Sequence, residues 1–221
     1  MDTLLEALIE SPLLPRQLEK LNRVLAEERP RRERFYDEMT EDGKWEFING
    51  VIIMHSPAKM RHTDTSKQLL VLLDAHVNRR ALGWVGYEKV LVSLTRNDYE
   101  PDVCFFREEV ATTLTPEQMR FPAPDFIAEV LSPSTARVDR GIKFRDYAAH
   151  GVSEYWIIDA EAQTVEQFAL QGEDYRTVGL WKGADLISSH AVTGFSIPAR
   201  ALFEREANVA ALLAVVGPAA T

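Results

Sequence analysis

Cysteine is almost absent from this 221-residue chain: Cys104 is the only one, so there is no internal disulfide framework and no thiolate metal cage. No apolar run reaches the ~20 residues that a membrane-spanning helix needs. Glycine and proline, at 11 each, are too few for collagen or a proline-rich spacer, and 46% hydrophobic residues exclude wholesale disorder. The opening stretch MDTLLEALIESPLLPRQLEK carries acids where a secretory signal carries basic residues, so the expected compartment is the cytoplasm. Positive charge is scarce as well. Against 34 Asp and Glu there are 25 Lys and Arg, a net charge of −9. A protein that coats nucleic acid needs a positive surface, so this balance argues against tight, sequence-independent binding. It leaves room for an enzyme whose acids gather around a metal. No internal repeat, helix-turn-helix or zinc finger is present.

What is there reads as one domain with extensions. Residues 1–34 form a helical N-terminal arm with Leu4, Leu5, Leu8, Leu14, Leu18, Leu21 and Leu25. The basic run Arg29-Pro30-Arg31-Arg32-Glu33-Arg34 reads as a solvated hinge. Asn49-Gly50 between two apolar runs is a strong hairpin signal, since both turn positions take positive φ. A helix is expected over about 61–81, with Leu69, Leu70, Leu73 and Val77 on its apolar face. Strands follow at 84–94, 102–106 and 126–131, a helix at 138–150, and strands at 155–159, 164–170, 175–180 and 191–197. The core domain is expected over 35–204, and the Ala-rich tail, 205–221, reads as a frayed helix. The interleaving gives an α/β fold (α+β by some schemes), with a mixed central sheet flanked by helices.

Glu129 breaks its local rule. It lies in an otherwise apolar strand, where a buried carboxylate costs several kcal/mol unless it is paired or bound to a cation. Asp102 shares a strand face with Cys104 and Phe106. Two acids on adjacent strands repel each other unless a hard divalent cation such as Mg²⁺ or Mn²⁺ sits between them. Taken singly, Asp102 reads equally well as a turn cap and Glu129 as the partner of an arginine. Arg140, Lys143 and Tyr147 share a helix stripe bordering the packed face, from which a long side chain can reach the sheet.

Four segments, in order, carry a resemblance. They are Trp45-Glu46-Phe47-Ile48-Asn49-Gly50; Pro101-Asp102-Val103; Pro124 to Thr135, containing Glu129-Val130-Leu131-Ser132-Pro133-Ser134-Thr135; and Lys143-x-x-x-Tyr147-x-x-x-Gly151-Val152-x-Glu154-Tyr155-Trp156. Over roughly 36–203 the chain resembles the Uma-two family of restriction-endonuclease-like proteins, in the PD-(D/E)XK nuclease superfamily. The resemblance implies a restriction endonuclease-like core and a metal-dependent endonuclease acting on DNA. It implies that Asp102 and Glu129, 129 − 102 = 27 positions apart, form the metal pair together with the Val130 backbone carbonyl. The superfamily lysine ordinarily lies two residues after the acid, where this chain has Leu131, so Lys143 on the next helix is the replacement. Glu46 matches a further family acid and His62 a family histidine; Tyr147 and Arg140 are candidates for phosphate contact. Homodimerisation is expected, because restriction-type nucleases often pair to cut both strands. Two other readings stay open. One is the same fold with a vestigial site, a binding module acting through a partner or as a dimer. The other is a two-carboxylate glycosidase, which leaves the lysine without a role.

Overall fold

The computed structural model describes residues 3–40 and 43–217. They form two compact units that divide after His55.

The first unit comprises helices α1 (Thr3–Ile9) and α2 (Leu14–Glu38) and strands β1 (Trp45–Ile48) and β2 (Val51–Met54). Pro15 enters α2 in its first turn, where no N–H partner is lost. Asn49 and Gly50 turn the hairpin with φ of 50° and 79°, and Ile48 pairs with Val51 directly across it. A β-carbon on Gly50 would lie 2.7 Å from Cγ of the buried Glu28, so the site requires glycine for space as well as for φ. Phe35 packs on Phe47, with ring centroids 5.8 Å apart. The expected basic hinge at 29–34 is not a linker. It lies inside α2, which runs through Pro30 without interruption.

The second unit is built on a six-stranded mixed sheet. Its strands in chain order are β3 (Gly83–Tyr87), β6 (Val103–Arg107), β8 (Phe126–Val130), β9 (Glu154–Asp159), β10 (Thr164–Gln171) and β11 (Asp174–Lys182). Short strands β4 (Leu91–Ser93), β5 (Asp98–Tyr99) and β7 (Arg120–Phe121) and the one-turn helix α4 (Glu108–Ala111) lie between them, and a final pair is β12 (Leu186–Ser188) and β13 (Ser196–Pro198). The spatial order is β11-β10-β9-β8-β6-β3. Only β8 and β9 in this sheet run parallel. The mixed sheet flanked by helices is the architecture expected from the sequence.

The two faces of the sheet differ. One carries Val103, Phe105, Phe126, Ala128, Val130, Trp156 and Ile158, against which α3 (Met60–Arg80) buries Leu69, Leu72, Leu73 and Val77. Each of these α3 side chains is fully buried and contributes about 1.5–3 kcal/mol. The other face carries Cys104, Ile127, Glu129, Tyr155 and Ile157 by alternation. Burial pushes the Cys104 thiol far up, and the Glu129 charge adds to this, so the thiol is not a nucleophile.

Three boundaries differ from expectation. The strand foreseen at 84–94 is broken at Glu88, which takes φ of 53° and donates its N–H to the Asp102 carbonyl at 3.0 Å. The strand foreseen at 191–197 begins only at Ser196, because the amides of His190 and Ala191 turn inward to the Glu154 carboxylate. The tail, of which 218–221 lie outside the described residues, begins as a docked helix, α7 (Arg205–Val216). Asn208 donates from it to the carbonyls of Gln68 and Ala201, and Arg79 donates to the Val216 and Gly217 carbonyls at its end.

Candidate active site

Strands β6 and β8 run antiparallel, and their ladder ends with Val103 opposite Ala128. Asp102 immediately precedes Val103 and Glu129 follows Ala128, so both acids stand at the end of this ladder. Asp102 extends the ladder with its side chain: Oδ2 accepts the Val130 N–H at 2.8 Å. His62, in the first turn of α3, places Nε2 3.2 Å from the same oxygen. Both acids are buried, each 3% exposed, at positions where strand neighbours are apolar.

Glu129 is held from above by a helical segment. A short helix α5 (Ala136–Val138) leads into a π turn, Asp139–Lys143, and then α6 (Phe144–Ala149). The buried side chains of this segment are Asp139, Lys143, Tyr147 and Ala148, the first three spaced four apart and so on one face. Lys143 Nζ donates to Glu129 Oε1 at 2.9 Å, and the Tyr147 hydroxyl donates to the same oxygen at 3.0 Å. Lys143 Nζ also lies 3.3 Å from Asp139 Oδ1 and 5.7 Å from the centre of the Tyr99 ring. Tyr155 beneath them registers this charge. Its pKa is raised well above the usual value, first by burial and then by Glu129 and Asp139, with Lys143 opposing.

Sequence reasoning thus brings together Asp102, Glu129, Lys143, Tyr147 and His62. Two roles need correction. Tyr147 is fully buried, so it orients the Glu129 carboxylate and does not reach a phosphate backbone. Arg140 forms a bidentate pair with Glu166 on β10, so its guanidinium is committed to a carboxylate rather than to a phosphate. Glu46 lies on β1 of the first unit, fully buried and 2.9 Å from Nε2 of His55. Asp139 was missed. The signal was present, an acid four residues before Lys143, the spacing at which helix charges pair.

Asp102, Glu129 and a backbone carbonyl are hard oxygen donors, the set that Mg²⁺ and Mn²⁺ prefer. Among the described residues no group of three or more His, Cys, Asp or Glu side chains is placed to hold a metal ion.

A family model described as a putative restriction endonuclease, Uma2, matches residues 32–200. The chain belongs to the Uma2 family. By sequence the chain is similar to the uncharacterized protein sll1609 of Synechocystis sp., 32% identical over 157 residues, covering 69% of this chain and 84% of that protein. Among solved structures, the fold is similar to that of a putative nuclease of DUF820 from Anabaena variabilis, with a TM-score of 0.67 and 18% identity over 81% of this chain and 97% of that one. The Uma2 match spans both candidate acids and the π turn. Among the described residues, no helix is long and apolar enough to cross a membrane.

Proposed function

We propose that the protein is a metal-dependent endonuclease that hydrolyses phosphodiester bonds in DNA. The observation that carries this reading is the pair of buried acids at the end of the β6–β8 ladder, Asp102 on the Val130 amide and Glu129 under the buried Lys143 ammonium. Asp102, Glu129 and the Val130 carbonyl would hold Mg²⁺ or Mn²⁺. Bound there, the ion supplies a water of lowered pKa and neutralises charge on the scissile phosphate. The chain's own groups do the rest. Tyr147 fixes the orientation of the Glu129 carboxylate, and His62 does the same for Asp102. Lys143 orients the attacking water and offsets the negative charge that develops on the phosphoryl oxygens.

Asp102→Asn tests the pair. An asparagine oxygen can still accept the Val130 N–H, so thermal stability should change little, within about 1 kcal/mol. Calorimetric binding of Mn²⁺ and cleavage of plasmid DNA should both be lost. A large fall in melting temperature, with Mn²⁺ binding intact, would make Asp102 a structural ion-pair member and leave the vestigial-site reading in its place.

The reading includes a homodimer. Leu14, Leu18, Leu21 and Leu25 on α2 follow the 4-3-4 spacing of a self-complementary coiled-coil seam, and Leu18, Leu21 and Leu25 are about half exposed. Sedimentation of the wild-type chain should give a dimer, and Leu18→Lys/Leu21→Lys a monomer. An unchanged sedimentation coefficient would place any pairing elsewhere.

A further inference from the structure

Lys143 has two acidic partners, and only one of them belongs to the proposed metal pair. Its ammonium sits 2.9 Å from Glu129 Oε1 and 3.3 Å from Asp139 Oδ1, and all three side chains are at most 3% exposed. An ammonium and a divalent cation compete for the electrons of one carboxylate. If Glu129 were the sole anchor, Lys143 would have to lose its buried counter-charge whenever Glu129 served a metal, at a cost of several kcal/mol. Asp139 supplies a second anchor one turn away on the same segment. The segment itself is fixed: the Asp139 carbonyl accepts a hydrogen bond from the Tyr155 hydroxyl at 3.2 Å, which ties the π turn to the sheet.

We propose that Asp139 is a positioning residue: it holds the Lys143 ammonium beside Glu129 while leaving that carboxylate available to a divalent cation. This rests on the metal-site reading given above. Residues 139 and 143 are four apart, the spacing at which side chains on one helical face meet, so both stand together by Glu129. Asp139 acts through Lys143 and touches neither metal nor substrate.

The test is Mn²⁺ affinity, measured by isothermal calorimetry on the full chain with no DNA present. Asp139→Asn removes the second anchor, so Lys143 leans wholly on Glu129. Mn²⁺ should then bind about tenfold more weakly, through loss of the buried ion pair at 3.3 Å. Asp139→Glu keeps the charge and should recover most of the affinity. In a Lys143→Met background, where there is no ammonium to anchor, Asp139→Asn should alter affinity by no more than about twofold. A merely structural Asp139 would weaken binding equally in both backgrounds, and that result would overturn the proposal. So would wild-type affinity in Asp139→Asn. If the Lys143→Met chain does not fold, the comparison of Asp139→Asn with Asp139→Glu decides: equal losses in the two overturn it. Failure of the wild-type chain to bind Mn²⁺ would sink the metal-site reading itself and this inference with it, an outcome distinct from normal wild-type binding with an indifferent Asp139.

Discussion

Lys143→Met should abolish DNA cleavage and at the same time make the stability of the fold depend on divalent cations. The lysine is 2% exposed and lies between Glu129 and Asp139. Its removal leaves two buried carboxylates without their shared cation, and breaking a buried ion pair in this way costs about 3–5 kcal/mol. A lysine exposed at the helix edge, as its periodicity suggests, would cost almost nothing. In rate, loss of a preorganised charge partner typically amounts to ~10²–10³. A divalent cation that engages Glu129 should return part of the lost stability. Thermal melts with and without Mn²⁺, run beside plasmid cleavage assays, check both halves. Lys143→Arg should restore stability better than activity, because a planar guanidinium is a poor substitute for a compact ammonium at a water-orienting position. Full activity in Lys143→Met would remove this residue from the mechanism. Arg140 would not take its place, since it is committed to Glu166.

The largest stability loss outside the site is expected at Glu154. Its fully buried carboxylate accepts five hydrogen bonds: from Trp156 Nε1 at 2.6 Å, Gln167 Nε2 at 2.7 Å, Ser189 Oγ at 2.5 Å, and the amides of His190 and Ala191 at 2.8 Å. It joins β9, β10 and the 189–191 turn through a single side chain. Glu154→Ala leaves several buried donors without an acceptor, at roughly 1–3 kcal/mol each before relaxation. A net loss of about 5 kcal/mol would lower the melting temperature by roughly 10–20 °C in a chain of this size. Mn²⁺ affinity, measured well below the transition, should stay at the wild-type value, because Glu154 lies on the opposite face of its strand from Tyr155, which packs on the site. A wild-type melting curve would contradict this assignment.

Asp102 and Glu129 were legible because an acid inside an apolar strand violates the cheapest rule of burial, and the violation survives translation into structure. The hairpin at Asn49-Gly50 was legible for a similar reason, since its φ demand is local. Lys143 was found through its resemblance to the family motif, while periodicity put it at the helix edge. Glu129 from the sheet and Asp139 from its own segment enclose its ammonium, and no hydrophobic pattern announces such a pairing. Arg140 was misread because its partner, Glu166, lies 26 residues away on another element. The role of Glu154 was invisible for the same reason. Three of its donors come from 189–191, and only the assembled sheet brings them near.

The π turn also gives this helix an uneven tolerance for changes of length. Gly141, in the middle of the turn, has open space where a β-carbon would stand. A π turn bonds i to i+5 where an α-helix bonds i to i+4, so it carries one extra residue in the same sweep. Loss of one codon here would relax Asp139–Lys143 to an ordinary α-helix and leave the flanking residues on their faces. One residue more would find no such slack and would rotate everything on one side by ~100° relative to the other. In lineages of this protein, single-residue deletions between Asp139 and Lys143 should survive more often than insertions wherever the site is in use. Accumulated insertions would mark copies that have retired from chemistry while keeping the fold.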